Sequence, residues 1–175
     1  NNKILEKIKN DISVKNTKLL IVTKTRSQED INQLIKMGYS DFAENRVQEA
    51  QEKFIDILPN KDIKLNLIGP LQSNKVKQAL NLFDTIQSVD REKIVNELAK
   101  HLDISSRTKN FYIQINIGEE PQKSGVIPSD FETFYQYCMS KKLKISGIMC
   151  IPPQNEDPRP FFEEMNKIKN SINEN

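Results

Sequence analysis

The 175 residues, 37% hydrophobic with five Gly and eight Pro, have the size and composition of one globular domain spanning 1–175. Lys and Arg (26) nearly balance Asp and Glu (24), and a net charge of +2 is too small to suggest nucleic acid binding without a clustered basic face. No apolar run approaches the ~18 residues that a membrane-spanning helix needs, and Cys138 and Cys150 sit in apolar surroundings without a CxxC spacing. With no basic-then-apolar leader at the N-terminus, a reducing, cytoplasmic setting is expected.

An amphipathic stretch carrying Ile4, Leu5 and Ile8 opens the chain, followed by a strand over Leu19 to Thr23 that is apolar on both faces, as a buried parallel strand is. Ser27 and Asp30 make a capping box for a helix with Ile31, Leu34 and Ile35 on its buried stripe, ended by Gly38. A short strand around Asp41 to Ala43 leads to a helix bearing Val47, Ala50 and Phe54, with Asn45 and Gln48 as its expected caps. Leu65 to Ile68 gives a third strand before a helix with Val76 and Leu80. Phe83 to Val89 gives a fourth, before a helix with Ile94, Leu98 and Leu102 that Asp90 is expected to cap.

In the fifth strand, Phe111 to Ile117, odd positions are apolar and even positions polar, so its two faces meet different surroundings. In a parallel barrel the odd face packs under the helices, and Gln114 and Asn116 face the interior near the C-terminal mouth. Ser129 and Glu132 predict a capping box for a helix with Phe131, Phe134, Tyr135 and Cys138 on one face. Lys144 to Cys150 is a sixth strand, and Phe161, Phe162, Met165, Ile168 and Ile172 mark a sixth helix.

Six β/α units point to a (β/α)8 TIM-type barrel lacking its last two units, since a complete barrel typically takes roughly 250 residues. A doubly wound open sheet explains the same alternation, but such folds often carry a glycine-rich phosphate loop after the first strand, and none is present.

Lys24 stands at the C-terminal end of the first strand. One reading is a strand-end lysine whose ammonium reaches solvent. The other is a partly desolvated amine suited to Schiff-base formation with a carbonyl compound. The motifs decide between them. Val22-Thr23-Lys24-Thr25, Phe42 through Glu49, Leu67 through Lys75, Lys123-Ser124-Gly125 and Gly147 through Pro152 resemble, in order and spacing, the successive signatures of the pyridoxal-phosphate homeostasis family.

That resemblance implies a single-domain barrel, similar to the N-terminal domain of alanine racemase, holding pyridoxal 5′-phosphate (PLP) as an internal aldimine on Lys24. It places Asn45 and Met149 beside the cofactor, with Ile68 on the inward parity of the third strand. Lys75 and Lys123 match family lysines but read equally well as solvated charges. Ala43 and Asn66 depart from the family, which commonly has Gly and His there. The family's serine motif after strand seven and Arg-Gly motif at strand eight, which bind the phosphate and face the pyridine nitrogen, are not seen in this sequence.

The implied function is a non-catalytic PLP carrier or buffer, with apo PLP-dependent enzymes as possible recipients. A PLP-dependent racemase or decarboxylase shares the lysine but needs a second acid/base group, and an interaction module that has lost PLP is a third reading. His101, near a helix end, reads as a surface histidine, and no metal site is supported. Because the chain begins with Asn1 and lacks those motifs, a longer parent barrel is expected, monomeric when complete.

Overall fold

The structure, a computed structural model, describes residues 2–13, 17–102 and 107–173. Helix α1 (Asn2–Ser13) precedes β1 (Ile21–Val22), α2 (Gln28–Lys36), β2 (Asp41–Glu44), α3 (Val47–Phe54), β3 (Lys64–Leu67) and α4 (Val76–Leu82). Then come β4 (Thr85–Val89), α5 (Glu92–His101), β5 (Asn110–Ile115), α6 (Phe131–Ser140), β6 (Ile145–Cys150) and α7 (Arg159–Asn173). The six strands form one sheet in the order β1-β2-β3-β4-β5-β6, every neighbouring pair parallel. A doubly wound sheet reverses its strand order at a switch point, and this sheet does not.

The two sheet faces differ in chemistry. Register puts Phe42, Leu65, Leu67, Ile86, Phe111, Ile113 and Ile115 on one face, where all are buried with helical residues such as Ile31, Phe54, Leu80, Leu98 and Phe131. The other carries Val22, Ala43, Asn66, Thr85, Tyr112, Gln114, Gly147 and Met149. The apolar face packs under the helices because each crossover returns its amphipathic stripe to the same layer.

Helix α2 has the expected capping box, with the Asp30 N–H donating to Ser27 Oγ at 3.1 Å and the Ser27 N–H to Asp30 Oδ2 at 3.3 Å. Gly38, at φ +85°, ends it in a conformation that costs glycine nothing. Three other expected caps are not formed. The N-cap of α3 is Arg46 rather than Asn45, that of α5 is Arg91 rather than Asp90, and neither makes a side-chain capping bond. Asp90 is engaged by the neighbouring Arg91 guanidinium. Ser129 lies inside a 3-10 turn over Pro128–Asp130, so α6 starts later, with Asp130 as its N-cap.

Burial corrects two further expectations. Strand β1 has a partner on one side only among the described residues, so Val22 is 44% exposed instead of buried. On α7, Met165 and Ile168 are buried but Phe162 is 53% exposed, bordering a groove of about 550 Å³ with Ile148, Cys150 and Met165. The Leu5 side chain lies outside the described residues.

Candidate functional site

Lys24 follows β1 on the parity of Val22, in a turn closed by the Arg26 N–H donating to the Thr23 carbonyl at 3.0 Å. The next residue, Thr25, has φ +63°. A β-branched side chain resists that left-handed conformation, so the surroundings must hold it there. Lys24 is exposed instead of partly desolvated, because its strand is an edge of the described sheet.

On the helical side of this turn lies a compact polar network. Glu44, at the end of β2, is fully buried, and its Oε1 accepts from the Thr23 hydroxyl at 2.7 Å and from Lys53 Nζ at 3.0 Å. Lys53 also donates to Glu49 Oε1 at 2.6 Å and to the Thr23 carbonyl at 2.8 Å, so its three N–H donors have three partners. Burial pushes the Glu44 carboxyl above its ordinary value, with Thr23 and Lys53 opposing the rise. Glu49 is held low by Lys53 and by the Thr25 N–H. Burial disfavours the Lys53 charge, but Glu49 and Glu44 together outweigh it and the ammonium is held high.

Glu44 and Glu49 fall inside the motif running from Phe42 through Glu49, and Lys53 lies beyond its end. The available signals were a carboxylate closing an otherwise apolar strand and a Glu-to-Lys pair at i, i+4 on α3.

Asn45 and Ile68 directly follow β2 and β3 on the same parity as Lys24, and the Ile68 N–H donates to the Glu44 carbonyl at 3.0 Å. A Cβ on Gly69 would stand 2.2 Å from the Asn45 backbone oxygen, so only glycine permits this approach of the two strand ends. Asn45 opens onto a cavity of about 600 Å³, also lined by Arg46, Pro70, Gln72 and Lys75, with Lys24 not among its lining residues. Met149 pairs in register with Gln114 on the same sheet face, at the opposite edge. The structure thus groups Lys24, Asn45 and Ile68 on adjacent strand ends and sets Met149 apart.

Strand β5 ends at Ile115, two residues short of the expected Ile117, and the polar side chains of Gln114 on it and Asn116 just past it serve the adjoining loop. Gln114 Nε2 donates to the Ser124 carbonyl at 3.0 Å, and the Asn116 amide exchanges bonds with the Glu120 backbone. Lys123 is half-buried, paired with Glu120, and donates to the Pro152 carbonyl at 3.2 Å, tying this loop to the end of β6. The two departures from the family pattern are accommodated. Ala43 is buried, and Asn66 donates to the Phe42 carbonyl and accepts from Gln87 Nε2, both at 3.1 Å. His101 Nε2 lies 3.3 Å from Glu97 in the last turn of α5.

The family model "Alanine racemase, N-terminal domain" matches residues 4–175. The chain belongs to this family and, within it, to the pyridoxal phosphate homeostasis proteins. It is 32% identical over 159 residues to the pyridoxal phosphate homeostasis protein of Aquifex aeolicus (strain VF5), covering 89% of this chain and 69% of that one. It is 40% identical over 143 residues to the protein of the same name from Pasteurella multocida (strain Pm70), covering 80% of this chain and 61% of the relative. Among solved structures, PipY of Synechococcus elongatus PCC7942 without PLP superposes with a TM-score of 0.82 at 26% identity, over 90% of this chain and 75% of PipY.

Proposed function

We propose that this chain is a PLP-binding homeostasis protein that holds the cofactor covalently through the Lys24 amine, buffering free aldehyde and delivering cofactor to apo-enzymes. The observation that carries the reading is Lys24 itself, an accessible amine at a strand end whose two flanking peptide groups are both held by neighbouring side chains. An imine requires a nucleophilic amine, and a rigid element beneath it favours one lysine over the flexible surface ones. The cofactor supplies the reactive aldehyde. Asn45 has an amide able to bond a ring substituent, while Ile68 and the Met149 thioether offer apolar contact to a ring.

The family names support the PLP reading. The sequential parallel sheet supports a (β/α)8 barrel in which a seventh and an eighth unit complete the closure and supply the phosphate site. Barrel curvature would also bring the Met149 edge toward Lys24. Cys138 and Cys150, both free, agree with a reducing, cytoplasmic setting, and no described helix is long and apolar enough to cross a membrane.

Titration with PLP tests the reading. The chain is expected to develop a saturable visible absorption that Lys24→Ala abolishes, without steady racemisation of added alanine. Uptake that is unchanged in Lys24→Ala removes the lysine from the account, and sustained turnover that depends on Lys24 makes the protein an enzyme.

A further inference from the structure

The peptide groups on either side of Lys24 are both anchored to α3. The carbonyl of Thr23, bonded to the Lys24 nitrogen, accepts from Lys53 Nζ at 2.8 Å. The N–H of Thr25, on the far side, donates to Glu49 Oε1 at 2.6 Å. Lys53 and Glu49 are themselves joined at 2.6 Å, one helical turn apart. An ordinary solvent-facing pair of this spacing leaves most of its hydrogen-bonding capacity to water. Here the ammonium has all three donors engaged, one of them by the buried Glu44, and the Glu49 carboxylate holds the N–H of a residue kept at φ +63°.

We propose that Lys53 and Glu49 are positioning residues for Lys24. They fix the backbone before and after it, so that its side chain leaves the strand end on the sheet face of Asn45 and Ile68. Their bonds run to the peptide groups behind Lys24, so they act through the backbone and not by touching the ligand. This inference rests on Lys24 being the PLP-holding residue. Without the clamp, Thr25 is free to leave its left-handed conformation and the turn relaxes, taking the amine off its approach line.

The test compares the parent chain with Lys53→Met, Glu49→Ala and Glu49→Gln, with Glu52→Ala as a control on the same helix. PLP is titrated and borohydride-fixed label on Lys24 is quantified, and exchange of the Thr25 amide is followed by NMR in cofactor-free protein. Lys53→Met and Glu49→Ala are expected to lower PLP affinity at Lys24 on the order of 10-fold or more, and Glu49→Ala to accelerate Thr25 exchange. Glu49→Gln, which keeps an oxygen acceptor for the Thr25 N–H, is expected to recover most of both. A purely structural role predicts instead that affinity loss tracks thermal midpoint and that Gln rescues nothing.

Should Lys53→Met fail to fold, Glu49→Ala carries the test, since that side chain is 27% exposed. Parent-like uptake at Lys24 in folded Glu49→Ala overturns the clamp while leaving the PLP reading intact. Failure of the parent itself to take PLP at Lys24 overturns both, whatever the state of the Thr25 amide.

Discussion

The α-carbon of Gly69 faces the backbone of Asn45 so closely that a Cβ there would lie 2.2 Å from the Asn45 carbonyl oxygen and 2.8 Å from its carbonyl carbon. The obstacle is backbone, which cannot rotate away as a side-chain tip does. Gly69→Ala is therefore expected to destabilise the chain by about 1–3 kcal/mol by overpacking and to displace Asn45. Chemical denaturation measures the first effect and PLP titration the second. A variant with parent-like stability and PLP uptake would show that the approach is not needed.

The buried Glu44 makes stability depend on pH with a definite sign. Burial raises its folded pKa above the ordinary 4.5, so the native chain holds that proton more tightly than the unfolded chain does. The contribution is fully present below 4.5 and is lost as pH rises through the folded value. Glu49, held low, has the opposite sign: its contribution is present above 4.5 and is lost as pH falls through its folded value. Urea denaturation across this range is expected to show that Glu44→Gln gains on the parent as pH rises from acid to neutral. A stability difference independent of pH contradicts the assignment.

Burial pushes the Cys138 thiol up to about 12, and the residue is fully buried on α6. At pH 8 almost no thiolate forms there, and the thiolate is the reactive species. In Cys150→Ser protein, Cys138 is expected to react with a disulfide reagent only as fast as the chain opens, and promptly in denaturant. Reaction of the native protein at the rate of a free thiol would contradict this burial.

The helical stripes were legible in the sequence because the 3.6-residue period survives any detail of packing: Ile31, then Val47, Ala50 and Phe54, then Ile94 and Leu98, then Phe131, Phe134 and Cys138 are all buried. Three of the four caps were not, since a polar residue at the right spacing has rival partners. Asp90 meets Arg91, and Ser129 falls within a 3-10 turn. Lys24 was legible as a lysine closing an apolar run inside a familiar motif. The clamp behind it was not, because Thr23 and Lys53 are 30 residues apart and meet only once β1, β2 and α3 have packed. The loop ties of Gln114 and Asn116 were hidden for the same reason: alternation assigns a face without revealing what covers it.

Phe54 brings α3 onto the sheet, its ring centroid 5.8 Å from that of Phe42, with both side chains fully buried. Phe54→Ala leaves a cavity in the layer that seats Glu49 and Lys53, and is expected to cost about 3–5 kcal/mol. The measure is the denaturation midpoint. A loss well under 1 kcal/mol would show that α3 is not held by this contact.

The most direct test of the PLP account is to incubate the protein with PLP, reduce it with borohydride, digest it and locate the pyridoxyl group by mass spectrometry. The account predicts one dominant modified peptide, containing Lys24, that disappears in Lys24→Ala. Label spread evenly over the surface lysines, or a labelling pattern unchanged in Lys24→Ala, would contradict it.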